Sequence, residues 1–109
     1  MTLVLLFIAA CGVGPPHTPA NLTVTTIAPI MLRWDTVLAA TQYNIYRGTA
    51  SGGLPSKTLL ESIVSVNGEY PATTYTDTSA KSGTTYFYQV TAVNWNIESA
   101  ASNETSASQ

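Results

Sequence analysis

Tyr86-Phe87-Tyr88-Gln89-Val90-Thr91-Ala92 is the stretch on which the fold turns. Tyr86, Tyr88, Val90 and Ala92 fall on one side of it, while Phe87, Gln89 and Thr91 fall on the other. A period of two over seven residues is the mark of a β-strand with one face buried. Working outward, the same alternation recurs. Tyr43, Ile45 and Arg47 alternate with Asn44 and Tyr46, Ile30, Leu32 and Trp34 alternate with Met31, Arg33 and Asp35, and Leu22 and Val24 alternate with Thr23 and Thr25. Turn chemistry separates these runs at Ala28-Pro29, Gly48 to Gly53, Asn67-Gly68 and Lys81-Ser82-Gly83. No stretch of ten residues carries a helical period. Short strands punctuated by Gly and Pro predict an all-β, antiparallel sandwich.

The composition narrows the function. The chain has 109 residues, 45% hydrophobic and 9% charged, with a net charge of -2. That is one domain with enough apolar residues for a core. Four Lys plus Arg, nowhere clustered, exclude nucleic acid as a partner, because backbone binding needs several adjacent cations. One Cys and one His exclude an internal disulfide and the common structural zinc sites, so no metal or cofactor is expected. The carboxylates Asp35, Glu61, Glu69, Asp77, Glu98 and Glu104 are scattered over separate elements, and no Gly-x-Ser-x-Gly or second His offers a catalytic relay. No catalytic residue is assigned and no enzyme activity is expected. Asp77, between two Thr, organises the turn after its strand.

The first residues carry a different signal. Leu3 to Ala10 is an unbroken apolar run ending at Cys11. As a helix it would reach about 12 Å, too short for a ~30 Å hydrocarbon layer. Its length and small-residue end fit a secretory signal, and Ile8-Ala9-Ala10-Cys11 resembles a bacterial lipobox, which implies lipidation at Cys11. No Lys or Arg precedes the run, a departure from that pattern, and the same residues also fit a buried strand with a core cysteine. The division expected is a leader over 1–11, a Pro/Gly tether over 12–19 containing a solvated His17, a domain over 20–106 and a tail over 107–109.

Leu32-Arg33-Trp34, Tyr43 to Thr49, Tyr75-Thr76-Asp77-Thr78 and Gly83 to Asn94 together resemble a fibronectin type III domain, in the right order and spacing. The resemblance implies an immunoglobulin-like, seven-stranded antiparallel β-sandwich, the first, second and fifth strands packed on the other four. It places Trp34 at the centre of the core with Leu32, Ile45 and Val90, and makes Tyr86 a tyrosine corner. It puts Trp95 on the loop between the last two strands, and Ile97 stands where the family usually has a Gly before Glu98-Ser99. Asn94 or Asn96 is then expected to supply a left-handed residue. Lys57 to Ala72 is long for the fourth strand and its link, and Val64 to Tyr70 reads as a hairpin around Asn67-Gly68.

The expected role is a monomeric, non-catalytic binding or spacer module, secreted or at the cell surface and touching a membrane only through Cys11. Its partner would be a protein or a glycan. The alternative is a carbohydrate-associated accessory module, or a fragment of a larger secreted glycoside hydrolase or surface protein. Candidate partner contacts are Trp95 with Asn94 and Asn96, and an outward aromatic group of Tyr46 and Phe87, with Tyr70 beside them. A lone exposed Trp also fits a ring folded over the sandwich end, and cross-strand aromatics also fit plain sheet stabilisation.

Overall fold

The structure, a computed structural model, describes residues 15–109. The leader over 1–11 and Cys11 therefore lie outside the described residues. Eight strand segments follow in order: β1 (Thr23–Ile27), β2 (Ile30–Arg33), β3 (Gln42–Gly48), β4 (Thr58–Val64), β5 (Thr74–Asp77), β6 (Thr85–Asn94), β7 (Ile97–Glu98) and β8 (Thr105–Ser108). They form two antiparallel sheets. The smaller runs β1-β2-β5; the larger runs β4-β3-β6, with β7 and β8 both pairing to β6. The expected sandwich and its division of strands are what the structure contains.

Segments β7 and β8 share the place of the seventh strand. Between them the chain stays tied to β6 through serines. Ser99 and Ser102 donate their N–H groups to Ala92 O and Val90 O (both 2.8 Å). Their hydroxyls accept the N–H of Ala92 and Val90 (both 2.9 Å), standing in for the carbonyls of a regular strand. Ser and Thr are thus used as backbone substitutes as well as surface residues.

The core lies where the inward faces meet. Leu32, Trp34, Ile45, Tyr86 and Val90, the expected set, are all buried. Tyr43 and Tyr88 join them with no exposure at all. Burying a phenol requires a partner for its hydroxyl, and each one has it. Tyr43 Oη accepts the Val37 N–H (2.8 Å), Tyr88 Oη donates to Asp77 Oδ2 (2.6 Å), and Tyr86 Oη accepts the Lys81 N–H (3.1 Å). The last is the tyrosine corner. Tyr86→Phe leaves the ring and removes that acceptor, for an expected loss of about 1–3 kcal/mol. Lys81 is exposed, so water reaches its N–H and the loss falls at the low end. A urea midpoint that falls with an unchanged slope would show it; an unmoved midpoint would contradict it.

Four expectations need correction. The tail over 107–109 is structural: β8 runs to Ser108, and Ala107 is buried opposite Tyr86. The domain begins before residue 20, since Pro19 of the expected tether is buried. Val64 to Tyr70 is not a hairpin. Asn67 and Gly68 do turn with positive φ (56° and 77°), closed by Glu69 N–H to Val66 O (3.0 Å). The chain then leaves β4 for β5 in the other sheet, so the turn serves a crossover. In the loop between β6 and β7, neither Asn94 nor Asn96 takes the left-handed conformation: Trp95 does, at φ 56°.

Candidate functional site

Two surfaces gather the outward residues. The first is the outer face of the larger sheet. Register places Asn44 opposite Thr91 and Ser62, and Glu98 opposite Val93, so these side chains share one face with Tyr46 and Gln42. Glu98 is the hub. Its Oε2 accepts from Thr91 Oγ1 (2.5 Å), Tyr46 Oη (2.6 Å) and Asn44 Nδ2 (3.1 Å). Asn44 Oδ1 in turn accepts from Gln42 Nε2 and Ser62 Oγ (both 2.7 Å). Partial burial opposes the charge on Glu98, yet these donors outweigh it and hold the carboxyl below its usual range. Tyr46 and Phe87 lie together at one end of the polar strip, both half-buried. They are diagonal neighbours, because Phe87 stands opposite Gly48 and Tyr46 opposite Gln89. Tyr70 does not belong with them; it lies in the β4–β5 loop at the end of the sandwich.

The second surface is that end. Thr41 ties three loops together there. Its hydroxyl accepts the Trp95 N–H (3.0 Å) and donates to Val93 O (3.1 Å), and its carbonyl accepts the Ser65 N–H (2.9 Å). Trp95 is 80% exposed, so its ring does not fold back over the sandwich. Asn94 and Asn96 flank it, the first half-buried and the second exposed.

Two ion pairs, Arg47–Asp77 and Lys57–Glu104, serve the fold. Asp77, 1% exposed, accepts from Arg47 Nη1 (2.9 and 3.2 Å), Tyr88 Oη, the Ser79 N–H (3.0 Å) and Ser79 Oγ (2.8 Å). Burial works against its charge, but the Tyr88, Arg47 and Ser79 bonds prevail and lower its pKa. Arg47 also stacks 4.5 Å over the Tyr86 ring. Lys57, its side chain fully buried, pairs with Glu104 and caps Gly52 O (2.5 Å), closing the loop from β3 to β4. Glu104 is held below its usual range first by Lys57 and then by Ser51. A cavity of about 300 Å³ lined by Arg47, Gly48, Thr49, Ser56, Thr58 and Tyr86 opens beside this loop. Its one charge is already committed to Asp77. None of these three carboxyls has the raised pKa that a general acid needs at neutral pH. Among the described residues no three His, Cys, Asp or Glu converge as metal ligands.

Sequence reading missed Glu98 as a hub and the Arg47–Asp77 pair. The first was within reach: a two-residue turn at Trp95-Asn96 fixes the register that sets Glu98 opposite Val93 and beside Thr91. The second joins residues 30 apart in different sheets, and no local pattern announces it.

No protein-family model matches the chain. It is 44% identical over 77 residues to an amylopullulanase of Thermoanaerobacter thermohydrosulfuricus, covering 70% of this chain and 5% of that protein. It is 34% identical over 80 residues to a poly(3-hydroxybutyrate) depolymerase of Ralstonia pickettii, covering 73% of this chain and 13% of that protein. The chain thus spans a small fraction of the length of these relatives. Among solved structures, an Fn3-like protein from Clostridium thermocellum superposes with a TM-score of 0.70 at 30% identity, covering 86% of this chain and 93% of the other.

Proposed function

Because the chain belongs to the fibronectin type III family and recurs as a small unit within much longer polymer-degrading enzymes, we propose that it is a non-catalytic accessory module working outside the cell beside such an enzyme. The observation that carries this reading is the match of 77 residues amounting to 5% of an amylopullulanase. A unit that small is separable from the chemistry of the enzyme around it. Glucan and polyester chains are too large to enter a cell intact, which supports a secreted or cell-surface location. Cys11 supplies the attachment: acyl chains there contribute ~0.8 kcal/mol per buried methylene. Equal fatty-acid labelling of the wild type and Cys11→Ser would remove the anchor from this reading.

The polymer contact in this reading is the outer face of the larger sheet. Tyr46 and Phe87 present neighbouring rings at one end of a polar strip, and Glu98 Oε1 accepts no hydrogen bond from the described residues. Rings stack on sugar faces while carboxylate and amide groups bond hydroxyls. The full chain is expected to sediment with granular starch. Tyr46→Ala combined with Phe87→Ala should weaken that retention about tenfold, equivalent to ~1.4 kcal/mol. A native protein that stays in the supernatant with both starch and poly(3-hydroxybutyrate) granules would overturn the contact.

A further inference from the structure

Eight large hydrophobic residues are exposed among the described ones, and six of them gather at one end: Leu38, Val64, Val66, Tyr70, Trp95 and Ile97. Ile27 and Leu59 lie elsewhere. The end is assembled by the Thr41 bonds, which bring the loops bearing Leu38, Val66 and Trp95 side by side. Patches this apolar at a protein surface mark something that covers them.

The backbone there adds an independent sign. All four non-glycine residues with positive φ among the described residues, Asn21, Ala39, Asn67 and Trp95, lie at this end. Asn tolerates that conformation; Ala39 at 68° and Trp95 at 56° do so at a cost that glycine would avoid. A bulky, 80% exposed indole held in such a conformation serves neither packing nor backbone ease.

The chain also enters here. The Asp35 N–H donates to Ala20 O (3.0 Å), and Asn21 Nδ2 donates to Asp35 Oδ2 (2.6 Å), which fixes the incoming segment beside the loop bearing Leu38. Pro19 is buried, so eight residue steps separate the domain from Cys11 and cannot exceed about 29 Å. The opposite end carries the last residue, Gln109, which accepts the Gly83 N–H (3.1 Å).

We infer that the end bearing Leu38, Val66, Tyr70 and Trp95 seats on a lipid bilayer, with these side chains in its interfacial layer. The inference rests on the Cys11 anchor proposed above, which would hold this end nearer the membrane than the opposite one. Trp and Tyr prefer that layer, where an apolar ring and a polar edge are both accommodated. The charges nearby are Arg33, Asp35, Glu69 and, beside Ile97, Glu98, without a basic cluster, so the contact is apolar and insensitive to salt. The acyl chains hold the protein; the loops orient it, leaving the outer face of the larger sheet upright and open.

The full chain, made in a bacterium that processes lipoproteins, is reconstituted into phosphatidylcholine vesicles with and without bromine on the acyl chains. Bromine should quench the Trp95 emission roughly twofold or more, and salt should not alter it. Trp95→Phe should abolish the effect, since Trp34 is 2% exposed within the core. Leu38→Ser with Val66→Ser should reduce it without lowering the melting temperature. Emission that is equal in the two vesicles, in protein shown by fatty-acid label to be acylated, overturns the seating while leaving the anchor intact. Trp95 shielded from acrylamide yet untouched by bromine overturns it in favour of a second copy or a neighbouring domain. Protein that carries no label and stays out of the vesicles removes both.

Discussion

Trp34→Ala lowers the unfolding free energy by about 3–5 kcal/mol, the largest single loss expected of any side chain here. Three observations set that size. The indole is 2% exposed, it directly follows β2 with its backbone N–H bonded to Thr73 O (3.1 Å), and its ring meets Tyr43 edge-on with centroids 5.4 Å apart. Removing it leaves a void between the sheets that their hydrogen-bonded backbones prevent from closing. The loss also loosens Tyr43, whose hydroxyl anchors the Val37 N–H in the β2–β3 loop. For a domain this small each kcal/mol moves Tm by roughly 4–8 °C, so thermal melting should fall by at least about 12 °C. Total stability is only about 5–15 kcal/mol, and partial unfolding at room temperature is within that range. Trp34 Nε1 is buried without a hydrogen-bond partner among the described residues. Trp34→Phe and Trp34→Ala both remove that orphaned donor, so the phenylalanine variant should cost less than the alanine variant by the volume it retains, and less than its own lost volume alone would suggest. A Tm shift of a few degrees for the alanine variant would mean that the indole is not the centre of the core.

Asp77→Ala follows, at about 3–5 kcal/mol. The carboxylate takes five hydrogen bonds from Arg47, Tyr88 and Ser79, and without it the Tyr88 hydroxyl is left buried and unpaired. Arg47 keeps 23% of its side chain exposed and can recover some hydration, which places the loss nearer the lower figure. Acid tests the same group with the sign fixed in advance. A carboxyl held below its usual range in the fold binds its proton more readily once unfolded. Its stabilisation is complete above the ordinary Asp value of about 3.9 and disappears as the pH falls through the lowered, native value. Tm should hold steady from neutral pH to about pH 5 and fall below it. Asp77→Asn should start lower and fall less steeply, with Glu98 and Glu104, lowered in the same direction, keeping part of the slope. Parallel acid curves for wild type and variant would show that the pair is not where the acid sensitivity resides.

How far these residues could be foreseen differs from one to the next. The inward faces of β3 and β6 are plain in the chain, because a strand assigns neighbours to opposite sides and hydrophobicity records the result. Alternation set Tyr86 on the buried side of its strand, and the family resemblance supplied its corner role. Asp77 was legible only as a turn former. Its burial, its bond to Tyr88 and its pairing with Arg47 depend on which strands face each other across the sandwich, which alternation does not encode. Trp95 stood out as a residue type, but its left-handed backbone and its company of Leu38, Val66 and Tyr70 did not.

Local rules decided the strands, their buried faces and the antiparallel sandwich, since each depends on residues within a few positions of one another and on a period of two; the family resemblance set Trp34 at the centre. Folding in three dimensions decided the rest: which carboxylates are buried and paired, the continuation of the last strand through Ala107, and the meeting of four apolar side chains from three loops beside the point of entry. Those depend on contacts across dozens of residues, where the energy belongs to a pair and neither partner's surroundings in the chain reveal the other.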